Sequence, residues 1–276
     1  MDSYWVHMEV AGYFCALLVG ISLGSLGMGG SILTIPIMVY MMHISPMDAT
    51  GYSLFVVGVT SAVGCAKYIR SKMVDTKTAI IFAVPSIFAV FLTRAWILPA
   101  VPDPIIHTDQ LTVSKDLAVL LLFALLMVVI AINMILGKKP EETDVMSRHW
   151  TDFIFLVGIG LLAGLLTGLM GVGGGFIIIP SLVLLAKTPI RMSVGTSLMV
   201  IAVNSFVGFA GELLRRHEAM DIAFILLFAT CSAAGIFIGF RWAAQLSSAG
   251  LKKLFGWCVL VLGICIFIKE IFFGGY

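Results

Sequence analysis

Charged residues are scarce in this sequence. Asp, Glu, Lys and Arg together make up 12% of its 276 residues, whereas a soluble domain carries about a quarter. Hydrophobic residues make up 60%, and the mean hydropathy is +1.09. So little charge cannot cover a water-facing surface, which excludes a soluble globular protein. The net charge of +2 gives no reason to expect a nucleic-acid partner.

Two signatures of catalysis are also lacking. HExxH and a phosphate-binding loop ending in Gly-Lys-Ser or Gly-Lys-Thr do not occur in the sequence. The five histidines lie in or beside polar connections, and the five cysteines lie inside apolar runs without paired spacing. We therefore expect no enzyme, no catalytic residue, no metal site and no cofactor.

The apolar residues are gathered into runs long enough to cross a bilayer. A helix needs about 20 apolar residues to span the hydrocarbon core, and strand-type alternation is absent. The pattern predicts an all-α polytopic membrane protein with about eight to ten membrane segments, some of them glycine-broken or re-entrant. The runs lie near 10–42, 50–66, 78–98, 117–136, 153–186, 193–214, 222–240 and 254–268.

The sequence contains an internal repeat at an offset of 144 residues. Segment 20–39 reads GISLGSLGMGGSILTIPIMV and segment 164–183 reads GLLTGLMGVGGGFIIIPSLV. Of the 45 positions from 20 to 64, 16 are identical in the second copy. We expect a first repeat over 1–136, a polar linker over 137–152 and a second repeat over 153–276, all within one membrane domain.

The orientation of the copies depends on the two long runs, each broken by clustered glycine near its middle. If each run crosses and returns, the copies are inverted; if each crosses once, they are parallel. The positive-inside rule favours inversion, because that arrangement places most Lys and Arg residues in the cytoplasm.

The glycines fall into two groups. The outer ones, such as Gly20, Gly24, Gly164 and Gly168, have the spacing of close helix packing. The inner clusters at 27–31 and 171–175 are denser than packing requires. A break at membrane depth is tolerated where it lines a cavity, and paired breaks in two halves indicate a transport site.

Helices that begin at these clusters would point their positive N-terminal ends toward the midplane. Because no Lys or Arg occupies the middle of an apolar run, this arrangement favours an anionic ligand. Hydroxyls and amides of both copies could complete the site, those of Thr60, Ser61 and Ser205 among them, although helix–helix hydrogen bonds explain each of them equally well. The candidate substrate-binding residues are Gly27, Gly29, Gly30, Ser31, Ser53, Gly171, Gly173, Gly174, Gly175, Thr196, Ser197 and Asn204.

The charged residues nearest the spans receive simpler interpretations. Glu212 is followed by Arg215 and Arg216 within a turn, which indicates a helix end rather than a proton relay. Arg94 and Arg241 each lie two or fewer residues from a tryptophan, which is typical of anchoring at the membrane interface.

The glycine motifs also carry a family resemblance. GSLGMGGSILTIP (24–36) with ATGYSL (49–54), and GLMGVGGGFIIIP (168–180) with SVGTSLMVIAVNS (193–205), resemble the TauE/SafE family of sulfite exporters. The resemblance covers essentially the whole chain. It implies a transporter of sulfur oxyanions or small organosulfonates in the plasma membrane, the bacterial inner membrane, often working in the export direction.

Together these patterns predict a secondary transporter of a small anion, sulfite or a related sulfonate, with an alternating-access site at the two glycine breaks. An anion channel, or a permease for another small organic anion, is the alternative. The expected partners are the anion, the lipid bilayer and a coupling ion, either a proton or sodium. The oligomeric state is left open.

Overall fold

The structure, a computed structural model, describes residues 2–27, 30–108, 111–136, 150–171, 173–184, 189–215, 220–245 and 248–273. Within these ranges the chain is built from helices, two of which continue as short π-helical segments, π1 and π2, and from one small hairpin. The elements are α1 (Asp2–Leu26), α2 (Gly30–Pro36), π1 (Ile37–Met41), α3 (Pro46–Arg70), α4 (Thr76–Leu92), π2 (Thr93–Ile97), α5 (Leu98–Ala100), β1 (Ile106–Thr108), β2 (Leu111–Val113), α6 (Lys115–Leu136), α7 (Trp150–Met170), α8 (Gly175–Leu184), α9 (Ile190–Arg215), α10 (Ile222–Gln245) and α11 (Ser248–Phe273).

Local capping fixes where several helices begin. Ser45 precedes Pro46 and accepts a hydrogen bond from the backbone N–H of Asp48, 3.2 Å away, so that α3 starts with a capped turn. Asp75 caps α4 through the N–H of Thr78, and Asp221 caps α10 through the N–H of Phe224. Because Asp75 and Asp221 match in the repeat at an offset of 146, the two copies start their fourth helices in the same way.

The two copies interlock. The first helix of each copy packs along the fourth helix of the other, α1 on α10 and α7 on α4, while α3 packs on α9 and α6 on α11. Glycine makes both first-to-fourth contacts possible. A methyl carbon at Gly20 would stand 1.8 Å from the Ser232 carbonyl oxygen, and one at Gly164 would stand 2.2 Å from the Ser86 carbonyl oxygen. Ser86 and Ser232 are themselves matched, and the packing interpretation of the outer glycines is confirmed.

The matched central helices α3 and α9 run in opposite directions. Gly51 near the start of α3 lies against Glu212 near the end of α9, whereas Gly195 near the start of α9 lies against Tyr68 near the end of α3. Helices α6 and α11 are antiparallel as well. Opposed directions of matched helices are what inverted copies require; the orientation of the copies across a membrane stays a prediction.

The chain is a multi-pass membrane protein. Within the described residues, five helices are long and apolar enough to cross a bilayer, and they carry exposed large hydrophobic side chains such as Phe88, which is 65% exposed. Shorter apolar helices cover Ala11–Ser25, Ile32–Met41 and Ile154–Met170. The five long segments are Pro46–Arg70, Thr76–Ala100, Lys115–Leu136, Arg191–Leu214 and Ile222–Trp242.

Two polar connections differ in detail from the bounds predicted by the apolar runs and the linker. The connection at 99–116 contains the antiparallel hairpin of β1 and β2, and α6 already begins at Lys115. Helix α7 begins at Trp150, so the last three residues of the expected linker 137–152 are helical; residues 137–149 lie outside the described ranges.

Candidate functional site

The second glycine cluster forms a genuine break between α7 and α8. Helix α7 ends at Met170, and the backbone then turns through Gly171, Gly173 and Gly174 with φ angles of 73°, 66° and 70°. Residues with a Cβ rarely adopt this left-handed region, whereas glycine does so at no steric cost. The glycines are therefore required by the backbone itself.

The chain folds back along α7 after this break. A methyl carbon at Gly174 would stand 2.5 Å from the Thr167 hydroxyl and 3.4 Å from the Ala163 carbonyl oxygen. Further on, Ile178 and Leu182 of α8 join the same buried cluster as Leu156, near the start of α7. Helix α8 thus begins partway along α7, beside residues 163–167, which lie about 5 to 10 Å from the end of α7 at 1.5 Å per residue. It returns toward the side where α7 began.

Polar side chains mark the middle of the α3–α9 pair. Thr60 and Asn204 lie about equally far from the two end contacts of this antiparallel pair, and Ser61 and Ser205 follow them in the chain. All four are buried. Ser86 of α4 joins them, because the Asn204 side-chain amide donates a hydrogen bond to its hydroxyl, 2.6 Å away. We call the group of Thr60, Ser61, Ser86, Asn204 and Ser205 the central polar belt.

Several of these buried polar atoms have no hydrogen-bond partner among the described residues. In the belt they are the hydroxyls of Ser61 and Ser205 and the side-chain oxygen of Asn204; outside it they are the hydroxyls of Thr167 and Ser232. A buried polar group without a partner costs about 1–3 kcal/mol. Native proteins retain few of them, so each indicates a bound water or ligand, or a functional role.

Two of the unpartnered hydroxyls face the glycine break. The Ser205 hydroxyl is 3.2 Å from where a methyl carbon of Gly173 would stand, and the Thr167 hydroxyl is 2.5 Å from that of Gly174. Helix α8 starts at the next residue, Gly175. The N–H groups of Ile177 and Ile178 bond to the Gly174 carbonyl, and the N–H groups that precede them at a helix start have no partner within the helix. Hydroxyl donors, left-handed glycines and a helix N-terminus therefore meet at one place, which is an arrangement suited to an anion.

The predicted hydroxyls of the second copy make hydrogen bonds to backbone groups instead. The Thr196 hydroxyl accepts a hydrogen bond from the backbone N–H of Asp75 at 2.9 Å, and the Ser197 hydroxyl donates to the Val194 carbonyl at 2.8 Å. Both are fully buried. Of the two interpretations of these residues, structural hydrogen bonding is the one that their contacts match.

The first copy's glycine cluster is described only in part. Helix α1 ends at Leu26 and is followed by Gly27, whose φ of 71° matches that of Gly171. Gly30 begins α2. Gly29 and the side chain of Ser31 lie outside what the structure describes. Ser53 is buried in α3 and donates a hydrogen bond to the Gly171 carbonyl, so it lies at the second copy's break.

Thr167 is absent from the sequence-based set of candidates. It lies between Gly164 and Gly168, within a spacing that is explained by packing alone, and only the fold back of the chain brings Gly174 against it. Ser61 and Ser205 are among the hydroxyls that the sequence offers for completing the site, and they occupy matched positions in the repeat.

The interpretation of Arg94 as an interfacial anchor is wrong. Its side chain is fully buried, and one guanidinium nitrogen, Nη1, lies 2.9 Å from Oε2 of Glu212, which is also fully buried. Helix α9 ends at Arg215, so the helix end predicted just after Glu212 is confirmed. A buried charge needs an opposite charge nearby, and here it comes from the other copy, 118 residues away in sequence.

A surface cavity of about 340 Å³ lies elsewhere. It is lined by apolar side chains that include Phe55, Phe209 and Leu226. The described residues of its lining include no charged or hydroxyl side chain, so they offer an anion fewer polar partners than the glycine break does.

Residues 13–266 match the family model described as sulfite exporter TauE/SafE. The chain belongs to the sulfite exporter TauE/SafE family. It is similar to a probable membrane transporter protein of Xylella fastidiosa (strain Temecula1), with 28% identity over 253 residues that cover 90% of each chain. The probable membrane transporter protein MJ0441 of Methanocaldococcus jannaschii is 28% identical over 207 residues, covering 73% of this chain and 71% of its own.

A further relative is the probable membrane transporter protein YunE of Bacillus subtilis, 25% identical over 223 residues that cover 72% of this chain and 77% of its own. No solved structure matches the chain. Family and relatives together make this TauE/SafE protein a membrane transporter.

Proposed function

We propose that this protein is a secondary transporter of a small oxyanion, sulfite or a related organosulfonate, which binds between the glycine break at 171–175 and the central polar belt. The observation that carries the proposal is the placement of two unpartnered buried hydroxyls, those of Thr167 and Ser205, against left-handed glycines at the start of α8.

The chemistry of the site suits an oxyanion. Sulfite and sulfonates present several acceptor oxygens, and hydroxyls and backbone N–H groups are donors that can reach them together. The positive end of the α8 dipole offsets the ligand's charge. Placing a Lys or Arg side chain in hydrocarbon costs free energy. The proposed site binds an anion without such a side chain.

Outward transport across the plasma membrane is part of the proposal, supported by the description of the family as sulfite exporters. A proton or sodium ion is the coupling ion we consider. Inverted copies support alternating access, because the two halves can exchange conformations around one central site.

Thermal unfolding of the purified protein in sulfite, an organosulfonate, sulfate and chloride tests the binding. A ligand that binds only the folded state raises the unfolding temperature, so we expect stabilisation by sulfite or the sulfonate. Because a hydrogen bond to a charged group contributes about 1.5–3 kcal/mol, Ser205→Ala and Thr167→Val should each weaken binding at least about tenfold. No stabilisation by any of the four anions would refute the site.

Flux into proteoliposomes tests the mode of transport. Saturable uptake with counterflow is the expected result for a secondary transporter. Flux that rises without saturation and shows no counterflow would indicate an anion channel instead.

A further inference from the structure

Two pairs of side chains occupy equivalent places in the two copies. Tyr68 matches Glu212 at the offset of 144, and Arg94 matches Phe240 at the offset of 146 that also relates Ser86 to Ser232. In one half the pair is ionic, Arg94 with Glu212; in the other it is aromatic, Tyr68 with Phe240. The same two positions thus meet in both halves through different chemistry.

The ionic pair lies at one end of the packed helices α3 and α9. This is the end at which α7 stops and the glycine break begins. Glycines leave room for it: a methyl carbon at Gly51 would stand 3.0 Å from Cγ of Glu212, and one at Gly211 would stand 3.0 Å from Cβ of Arg94. Thr50, next to Gly51, contacts Gly171 through its backbone. The pair therefore lies at the end of the helices where the glycine break begins.

The aromatic pair lies at the opposite end of α3 and α9. The Tyr68 and Phe240 rings meet edge to face with centroids 5.7 Å apart, and the Lys67 ammonium lies 4.1 Å from the centre of the Phe240 ring. Gly195, which matches Gly51, again leaves room, because a methyl carbon there would stand 2.8 Å from Cβ of Tyr68.

The central polar belt lies between the two pairs. Gly51 and Tyr68 are separated along α3 by about 25 Å at 1.5 Å per residue, which is close to the thickness of the hydrocarbon core, about 30 Å. Each pair thus bridges different elements near one end of the packed helices α3 and α9, on either side of the belt.

We propose that Arg94–Glu212 and Tyr68–Phe240 are the two closures of the substrate path, one at each end, and that they separate alternately. The proposal rests on the proposed transport function. Both pairs are formed in this structure, and every residue of the belt is buried. Buried charges in membrane helices mark functional elements by default, and bistable contacts between packed helices are how such proteins switch.

Labelling of a cysteine in the belt by a membrane-impermeant thiol reagent tests the closures. The five native cysteines are replaced by alanine, and Ser61→Cys supplies the probe, since the Ser61 hydroxyl has no described partner to lose. The protein is reconstituted in one orientation, and the reagent is added outside or enclosed inside the vesicles.

We expect R94Q/E212Q to raise the labelling rate from one face only, and Phe240→Ala to raise it from the opposite face only. Each increase should be about tenfold, equivalent to about 1.4 kcal/mol of weakened closure. Tyr40→Phe is the control: it removes the 2.9 Å hydrogen bond from Tyr40 to Glu270, away from both closures, and should leave labelling unchanged.

Two further variants keep the test open if the double glutamine variant does not insert. Glu212→Asp keeps both charges but shortens the carboxylate, so labelling should rise from the same face by a smaller factor. R94F/E212Y places an aromatic pair at both ends. The cysteine at position 61 should therefore be labelled in this variant at the same rate as in the Ser61→Cys protein without closure substitutions.

Unchanged labelling in every closure variant, or labelling from the same face at both ends, would overturn the closures. Labelling requires no substrate, so the two proposals fail separately. Face-specific labelling without sulfite or sulfonate binding would refute the proposed function and support the closures. Anion binding with unchanged labelling would refute the closures alone.

Discussion

The hydroxyl of Ser53 in the first copy donates a hydrogen bond to the carbonyl of Gly171 in the second, 2.9 Å away. Its counterpart Ser197 instead donates to Val194 of its own helix. A serine at matched positions thus bonds to the other copy in one case and within its own helical turn in the other. The two halves of the protein are unlike at the position where the sequence makes them identical.

Ser53→Ala should therefore harm the protein more than Ser197→Ala. The first change leaves the buried Gly171 carbonyl without its donor, at a cost of about 1–3 kcal/mol, and loosens the turn that presents Gly173 and Gly174. The second changes a hydrogen bond within one helical turn. Thermal unfolding and transport rates of the two variants measure the difference, and equal losses in both would contradict this asymmetry.

Gly173→Val should abolish transport. Left-handed backbone costs a residue with a side chain about 1–2 kcal/mol, and a methyl carbon at Gly173 would stand 2.9 Å from side chains of both Val57 and Ile201. Gly158→Ala is the matched control, because a methyl carbon there meets nothing within 4 Å. Wild-type flux in the valine variant, with membrane insertion checked, would remove the second break from the mechanism.

Gly20→Ala should lower stability rather than specificity. The added carbon would collide with the Ser232 carbonyl, which is backbone and cannot turn away. At Gly12 the added carbon would meet only the flexible end of Met42, so Gly12→Ala should be tolerated. We expect a lower unfolding temperature for Gly20→Ala with an unchanged ratio of affinities for sulfite and sulfate in the folded fraction.

Removal of one member of the Arg94–Glu212 pair should cost more than removal of both. A single Arg94→Leu leaves a buried carboxylate without this guanidinium, and breaking a buried pair costs about 3–5 kcal/mol, whereas hydrophobic replacement of both partners is often neutral. Unfolding of R94L, E212L and the double variant forms a double-mutant cycle. Additive losses would show that the two charges do not interact.

Much of the fold was predictable because its signals are local. Hydrophobicity marks the long helices, and glycine density marks the break points: α1 ends at Leu26 and α7 at Met170, each just before a cluster. The helices expected to begin at the two clusters are present as α2 with π1 and as α8. The repeat offset correctly relates positions such as Ser86 and Ser232, whose backbone carbonyls pack against the matched residues Gly164 and Gly20.

The partners of buried polar groups were not predictable in the same way. Arg94 pairs with a carboxylate on a helix of the other copy. The Thr196 hydroxyl accepts a hydrogen bond from the backbone N–H of Asp75, 121 residues away. Such contacts depend on how the two copies interlock, and no spacing within one copy records that. Ordinary features of the sequence, a tryptophan beside an arginine or a hydroxyl beside a glycine, fit both a structural and a functional role.

The interlocked packing of α1 on α10 and of α4 on α7 also bears on how the protein is made. When synthesis has reached the end of the first copy, α1 and α4 have been made, but α10 and α7, the helices against which they pack, have not. The glycine face of α1 stays without its partner until about residue 239 has been added. Assembly must therefore follow insertion of nearly the whole chain, and a ribosome that stalls midway leaves behind a half that cannot close on itself.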